Sequence, residues 1–288
     1  VTEPLRWRQL RAEGLDRLRA AGLDDAEHDL RWIVERATGR TAAEQVLALD
    51  EPATEREVRH LDDMVARRCA GEPLQYVIGQ WGFRSLDLLV DRRVLIPRPE
   101  TEVVAGHALD ALAALDRPGV AVDLGTGSGA IALSLAAERW PHVEVWATDA
   151  SPDALAVARA NLAGLGRRAA VVRLLEGDWY AALPGDLEGR IDVVVSNPPY
   201  VAASDPLPPE VARWEPTGAL VPGPTGLESI EVVVGEAPRW LAPGGTLVVE
   251  IGETQGDLVL ALAEQAGLRS PEVRPDLAGR PRALVARR

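Results

Sequence analysis

The first 75 residues place apolar side chains at helical spacing. Leu5-Arg6-Trp7-Arg8-Gln9-Leu10 begins a helix, and Asp24-Asp25-Ala26-Glu27 caps a second that carries Leu30, Ile33, Val34 and Ala37 on one face. Thr41-Ala42-Ala43-Glu44 and Thr54-Glu55-Arg56-Glu57 read as capping boxes, the latter opening a helix with Val58, Leu61, Met64 and Val65 inward. A small helical bundle is predicted for residues 1–75, ended by Gly71-Glu72-Pro73. The runs Tyr76-Val77-Ile78-Gly79, Trp81-Gly82-Phe83 and Leu86-Asp87-Leu88-Leu89-Val90 then alternate between glycines and predict a β-hairpin linker over residues 76–96. In Pro97-Arg98-Pro99-Glu100-Thr101-Glu102 two prolines stiffen a loop, and Glu100 or Thr101 starts the next helix.

From Val120 the period changes to strand–helix alternation, the pattern of an α/β fold with a parallel sheet. Strands are predicted over residues 120–124, 143–149, 170–175, 191–195 and 246–251. Helices are predicted over 130–137, from Pro152 (behind Ser151) to 162, over 227–240 and over 255–265. Pro243-Gly244-Gly245 is expected to turn into the fifth strand. A terminal hairpin pairs Glu272 and Val273 with residues 282–285 around Ala278-Gly279. Residues 97–288 therefore form the larger domain.

Composition excludes several classes. The 288 residues, 47% hydrophobic and 26% charged, are those of an ordinary globular protein, and the net charge of −13 opposes a nucleic-acid-binding face. Cys69 is alone and His28, His60, His107 and His142 are scattered, so no metal site and no disulfide is expected, and the histidines read as surface or capping residues. Residues 1–11 contain no apolar stretch of a signal peptide, and no run approaches the ~20 residues of a membrane span. The expected compartment is the cytoplasm. All 31 basic residues are Arg, and Asn occurs only at 161 and 197. An Asn that persists against so strong a bias draws notice to its neighbourhood.

That neighbourhood is Ser196-Asn197-Pro198-Pro199-Tyr200, directly after the fourth strand of the alternating region. Two prolines stop a strand, because proline lacks the ladder N–H and fixes its own φ. The result is either a polar turn or a stiff corner presenting an amide and an aromatic ring at the sheet edge where α/β folds place ligands. Asp123-Leu124-Gly125-Thr126-Gly127-Ser128-Gly129 joins the first strand to its helix. Its third glycine comes one residue too early for a dinucleotide fingerprint, and no Lys exists for a P-loop; the tighter form suits S-adenosylmethionine, which has no pyrophosphate. Asp149 ends the second strand, where a carboxylate can accept both ribose hydroxyls or cap a turn. Gly177-Asp178-Trp179 follows the third, where an acid beside an aromatic wall can take an adenine amine or simply form another turn.

Together these residues resemble the class I S-adenosylmethionine-dependent methyltransferases, which implies a Rossmann-like, mostly parallel seven-stranded sheet. Asn-Pro-Pro-Tyr narrows the resemblance to enzymes that methylate a planar nitrogen. The lone pair of such a nitrogen is delocalised, and two acceptors on its two N–H bonds localise it. Asn197 Oδ1 is one candidate acceptor and the Pro198 carbonyl the other, with Tyr200 stacked on the planar group and in-line positioning supplying much of the acceleration.

Val94-Leu95-Ile96-Pro97-Arg98-Pro99-Glu100-Thr101-Glu102, Gly177-Asp178-Trp179, Arg213-Trp214-Glu215-Pro216, Gly226-Leu227-Glu228, Glu253-Thr254-Gln255-Gly256 and Asp276-Leu277-Ala278-Gly279-Arg280 resemble the bacterial release-factor glutamine methyltransferases (the PrmC/HemK family) over essentially the whole chain. The resemblance implies transfer of a methyl group to the glutamine of the Gly-Gly-Gln loop of class I peptide-chain release factors, modulating translation termination and leaving S-adenosylhomocysteine. It implies that Asn197, Pro198, Pro199 and Tyr200 hold the glutamine. Gly125, Thr126, Gly127, Ser128, Gly129, Asp149, Asp178, Trp179 and Asn197 hold the cofactor, and the N-terminal module contacts the release factor. The expected protein is a monomer that binds neither membrane nor nucleic acid. One departure is visible: Glu210-Val211-Ala212-Arg213-Trp214 lacks the Asp expected ahead of the Arg-Trp-Glu-Pro stretch. The alternatives are a glutamine methyltransferase for a ribosomal protein, an adenine-N6 DNA methyltransferase, which the acidic charge disfavours, and a non-catalytic binding module.

Overall fold

The structure, a computed structural model, describes residues 5–288; the first four residues of the expected N-terminal module lie outside the described residues. It divides into two compact units. The first runs to Gln80 and takes in Pro209–Trp214; the second comprises Trp81–Pro208 and Glu215–Arg288.

In the first unit α1 (Trp7–Ala20), α2 (Ala26–Thr38), α3 (Ala42–Leu47), α4 (Glu55–Cys69) and α5 (Leu74–Ile78) pack around Trp7, Leu18, Leu30, Ile33, Leu61 and Val65. Both expected capping boxes form, at Thr41 and Thr54. Asp29 is buried and paired with Arg68 at 2.7 Å, which also reaches Glu210 at 3.0 Å and so anchors the short helix Pro209–Trp214. Tyr76-Val77-Ile78, expected in a strand, lies in α5. The amides of Tyr76 and Val77 both bond the Pro73 carbonyl, and Gly79 closes the turn at φ 73°. Every residue from Tyr76 to Ile78 is buried, so no alternation distinguished strand from helix.

The second unit begins with the hairpin β1 (Gln80–Phe83) and β2 (Leu86–Leu89), then α6 (Pro99–Ala113). Seven strands follow: β3 (Gly119–Leu124), β4 (Val143–Asp149), β5 (Val172–Glu176), β6 (Ile191–Ser196), β7 (Leu241–Glu250), β8 (Arg269–Pro275) and β9 (Pro281–Arg287). They form one sheet in the order β5-β4-β3-β6-β7-β9-β8, parallel except for antiparallel β9. Between them run α7 (Ala130–Arg139), α8 (Pro152–Gly164), α10 (Glu228–Trp240) and α11 (Gly256–Gln265), while α9 (Pro209–Trp214) is the short helix that belongs to the first unit. Successive strand residues face opposite layers. Ala121, Val193, Val195 and Val248 pack under α6 and α7, whereas Val122, Val194, Leu247 and Val249 pack against α10 and α11.

Three local differences from the sequence pattern have simple causes. Ala170 and Val171 belong to a 3-10 turn over Gly166–Val171 that delays β5. Pro243-Gly244-Gly245 is a bulge inside β7, where the register with β6 jumps from Ile191↔Leu241 to Val193↔Thr246. The helix α6 starts at Pro99, so Thr101 sits buried in its first turn rather than capping it.

The chain runs from β3 outward through β4 to β5, then returns to β6 on the other side of β3. The carboxyl ends of β3 and β6 therefore stand side by side at a topological switch point, with Leu124 opposite Ser196. Ser196 Oγ donates to the Leu124 carbonyl at 2.7 Å and ties the two ends together. His107 is half-buried on α6 against Arg274, not a surface residue.

Candidate active site

A cavity of about 430 Å³ opens at that switch point, of a size suited to one small molecule. Gly125, Thr126, Gly127, Ser128, Asp149, Asp178, Trp179, Asn197 and Pro199 all line it. Gly129, Pro198 and Tyr200 do not. Gly129 starts α7 in a left-handed conformation, and Pro198 is buried behind the corner.

The glycine loop is held from β4. Gly125 and Thr126 donate their amides to the Thr148 carbonyl at 2.9 Å each, and Gly127 donates to Asp149 Oδ2 at 2.8 Å. Asp149 Oδ1 accepts from Ser151 N at 2.9 Å. Asp149 thus builds the loop as well as lining the cavity. Burial pushes its carboxyl up, while the two amides pull it down.

Gly125 has φ +72°, and a Cβ there would stand 3.3 Å from Trp179 Cζ3, so glycine allows the indole to lie over the loop. Trp179 itself sits at φ 43°, a strained conformation for a bulky residue that fixes its ring at the cavity wall. The neighbouring Tyr180, not Trp179, fills the core.

Asp123 is the residue that spacing did not single out, although it heads the glycine motif. It is 1% exposed and lines the cavity. Its Oδ2 accepts from Thr126 Oγ1 at 2.6 Å and Ala132 N at 3.1 Å, while Oδ1 has no partner among the described residues. Burial raises its pKa to about 6 against those two hydrogen bonds. Asp123 and two further carboxylates, Asp149 and Asp178, line the cavity together with Arg93, which is paired with Asp91. This donor set suits a ligand carrying ammonium and sulfonium charge and opposes a pyrophosphate. S-adenosylmethionine fits it.

At the corner, Asn197 Nδ2 donates to Thr101 Oγ1 at 3.2 Å, and Thr101 Oγ1 donates to Glu250 Oε2 at 2.7 Å. The Tyr200 hydroxyl donates to Glu250 Oε1 at 3.3 Å, and burial pushes the phenol well up. The Tyr200 carbonyl accepts from Gln255 Nε2 at 3.0 Å. Gly226, at φ +77°, runs against the corner: a Cβ there would come within 2.6 Å of the Tyr200 carbonyl oxygen. Before the corner, Glu215 accepts from Ile96 N at 3.1 Å and from Arg98, and fixes the loop that carries Pro97 along the cavity. Thr101, Glu250 and Gln255 carry no site role in the sequence pattern, because nothing in a linear pattern connects α6 to the ends of β6 and β7.

Residues 9–79 match the family described as the PrmC N-terminal domain, and residues 107–208 the one described as the Methyltransferase small domain. A release factor glutamine methyltransferase from Cereibacter sphaeroides is 43% identical over 274 residues, covering 94% of each chain. The chain belongs to the release factor glutamine methyltransferase family. A family member from Moorella thermoacetica is 42% identical over 284 residues, 98% of both chains. Among solved structures, a methyltransferase from Pyrococcus furiosus superposes with a TM-score of 0.50 at 20% identity, covering 82% of this chain and 98% of its own, and shares the fold. The seven-stranded, mostly parallel sheet is thus the class I methyltransferase fold, and membership of a release factor glutamine methyltransferase family implies S-adenosylmethionine as the methyl donor. Among the described residues no helix is long and apolar enough to cross a membrane, and no group of three or more His, Cys, Asp or Glu could hold a metal ion.

Proposed function

We propose that this chain transfers a methyl group from S-adenosylmethionine to the side-chain amide nitrogen of the glutamine in the Gly-Gly-Gln loop of class I peptide-chain release factors. The observation that carries the reading is that Asn197 lines the same cavity as the glycine loop and Asp149, in a chain whose relatives are named for this reaction. S-adenosylmethionine, when bound, supplies the electrophilic methyl group.

The chain's own residues do the rest. Gly125, Thr126, Gly127 and Ser128 present backbone to the donor, Asp149 accepts from its ribose, Asp178 and Trp179 take its adenine, and the buried Asp123 carboxylate adds negative charge that favours its cationic ammonium and sulfonium groups. Asn197 Oδ1 and the Pro198 carbonyl accept from the two N–H bonds of the guest amide and localise its lone pair. Tyr200, tethered through its hydroxyl and its carbonyl, holds the corner that presents Asn197 rigid. Preorganised acceptors need no reorganisation as the reaction proceeds. The N-terminal helical unit recruits the release factor as a separate module, the β1–β2 hairpin links it to the catalytic domain, and the protein works as a cytoplasmic monomer.

The test incubates the chain with methyl-labelled S-adenosylmethionine and either a release factor or total ribosomal protein. Label is expected on the release factor and lost when its loop glutamine is changed to asparagine. Label confined to a ribosomal protein would overturn the choice of substrate, and no label on any protein would overturn the activity.

A further inference from the structure

Asn197 has two chemically opposite ends, and only one of them serves the proposed reaction. Its oxygen accepts from the guest amide; its NH₂ group would repel the same N–H bonds. The side chain can rotate by half a turn about its last bond at almost no steric cost, because the two ends have nearly the same shape. Something must choose between them.

The geometry points to Glu250 and Thr101 as positioning residues that set this choice, an inference that rests on the amide-methylating reading of the corner. Glu250 ends β7 at 1% exposure and Thr101 sits on α6 at 4% exposure. An ionised carboxylate can only accept hydrogen bonds. It takes the single Thr101 hydroxyl proton on Oε2 at 2.7 Å and the Tyr200 hydroxyl proton on Oε1. With its proton committed, Thr101 Oγ1 has only lone pairs to offer to Asn197. A lone pair selects Nδ2, which is found 3.2 Å away. Oδ1 is then the end left for the cavity that Asn197 lines. The carboxylate thus polarises a chain of two hydrogen bonds whose far end faces the substrate. The alternative arrangement, Oδ1 against Thr101 Oγ1, would press two acceptors together in a buried site, which costs the desolvation of both.

This reasoning separates the role of Thr101 from simple packing. Valine has nearly the volume of threonine and no hydroxyl, and serine has the hydroxyl without the methyl. Asn occurs only at positions 161 and 197, so selective labelling of asparagine side-chain nitrogen gives just two NH₂ pairs in an NMR spectrum. Asn161 binds Leu89 and Ser128 through its own side chain and reports on folding of the catalytic unit.

The experiment records those two pairs, and kcat for methyl transfer to a release factor, in wild type, Thr101→Val, Thr101→Ser and Asn197→Ala, and kcat in Asn197→Ala with Thr101→Val. The expected result is that Thr101→Val shifts the Asn197 pair, leaves the Asn161 pair in place and lowers kcat roughly tenfold, the cost of one lost hydrogen bond. Thr101→Ser is expected to restore both the shift and the rate. In the Asn197→Ala background Thr101→Val is expected to change kcat no further, because Thr101 acts through Asn197. An Asn197 pair unmoved by Thr101→Val, or an equal loss of kcat with and without Asn197, would overturn the inference. If wild type methylates no glutamine, the functional reading falls and the NMR comparison still decides how Asn197 is held.

Discussion

Tyr200 and Glu250 meet hydroxyl to carboxylate at 3.3 Å, on the buried acid that also accepts from Thr101. Glu250 is surrounded by Thr101 and Glu100 on α6, Tyr200 after β6 and Arg282 on β9. Burial raises its pKa to about 7; Thr101, Arg282 and Tyr200 oppose the shift, and Glu100 adds to it. Below that value Glu250 gains a proton, can donate, and no longer fixes the direction of the hydrogen bonds around Asn197. The kcat profile is expected to rise with an apparent pKa near 7, and Glu250→Gln to flatten that limb, as measured in initial rates from pH 5.5 to 9 with ~saturating donor.

The same group carries a stability signature of known sign. Its folded-state value lies above that of an unfolded Glu, so the folded state binds the proton more tightly. The stabilisation from this group is complete below the unfolded carboxyl range and is lost as pH rises through about 7. Relative to wild type, Glu250→Gln is expected to be more stable in urea at alkaline pH than at acidic pH. An advantage that grew toward acid would contradict the assignment.

Gly125→Ala tests the contact between the glycine loop and Trp179. The substitution combines a left-handed backbone with a Cβ only 3.3 Å from the indole. A loss of ~1–2 kcal/mol in unfolding free energy is expected from the backbone alone, together with weaker binding of S-adenosylmethionine in calorimetry.

Asp149→Ala removes the acceptor for both Gly127 N and Ser151 N. Each amide left without its partner costs about 1–3 kcal/mol if it stays buried. Affinity for S-adenosylmethionine is expected to fall about tenfold or more, read by calorimetry, with the release factor still bound.

The parts of this site visible in sequence were those made within one connection. The glycine motif, Asp149, Asp178, Trp179 and Asn197 each follow a strand at the sheet edge, and period and turn chemistry located those strand ends. The supporting groups were invisible for the opposite reason. Glu250 meets Thr101 across 149 positions, and Asn161 meets Leu89 across 72 and Ser128 across 33. The scarcity of asparagine marked both Asn197 and Asn161, but only Asn197 had a motif to explain it. Tyr76-Val77-Ile78 departs from the predicted strand because a run buried on every side carries no period, and Pro243-Gly244-Gly245 from the predicted turn because a bulge uses the same residues.

Asn197→Ala removes one of the two acceptors assigned to the guest amide. It is expected to lower kcat by about 2–4 kcal/mol of transition-state stabilisation, by analogy with a lost oxyanion-hole group. Binding of S-adenosylmethionine is expected to change far less, because Asp149 and the glycine loop remain. A variant with near wild-type kcat would remove Asn197 from the chemistry.

The most direct test of the function is the position of the methyl group. A release factor treated with the chain and S-adenosylmethionine is digested and its Gly-Gly-Gln peptide sequenced by fragmentation mass spectrometry. A single added methyl group on the glutamine side-chain nitrogen is the expected result. A methyl group on any other residue, or an unmodified peptide after full incubation with active protein, would contradict it.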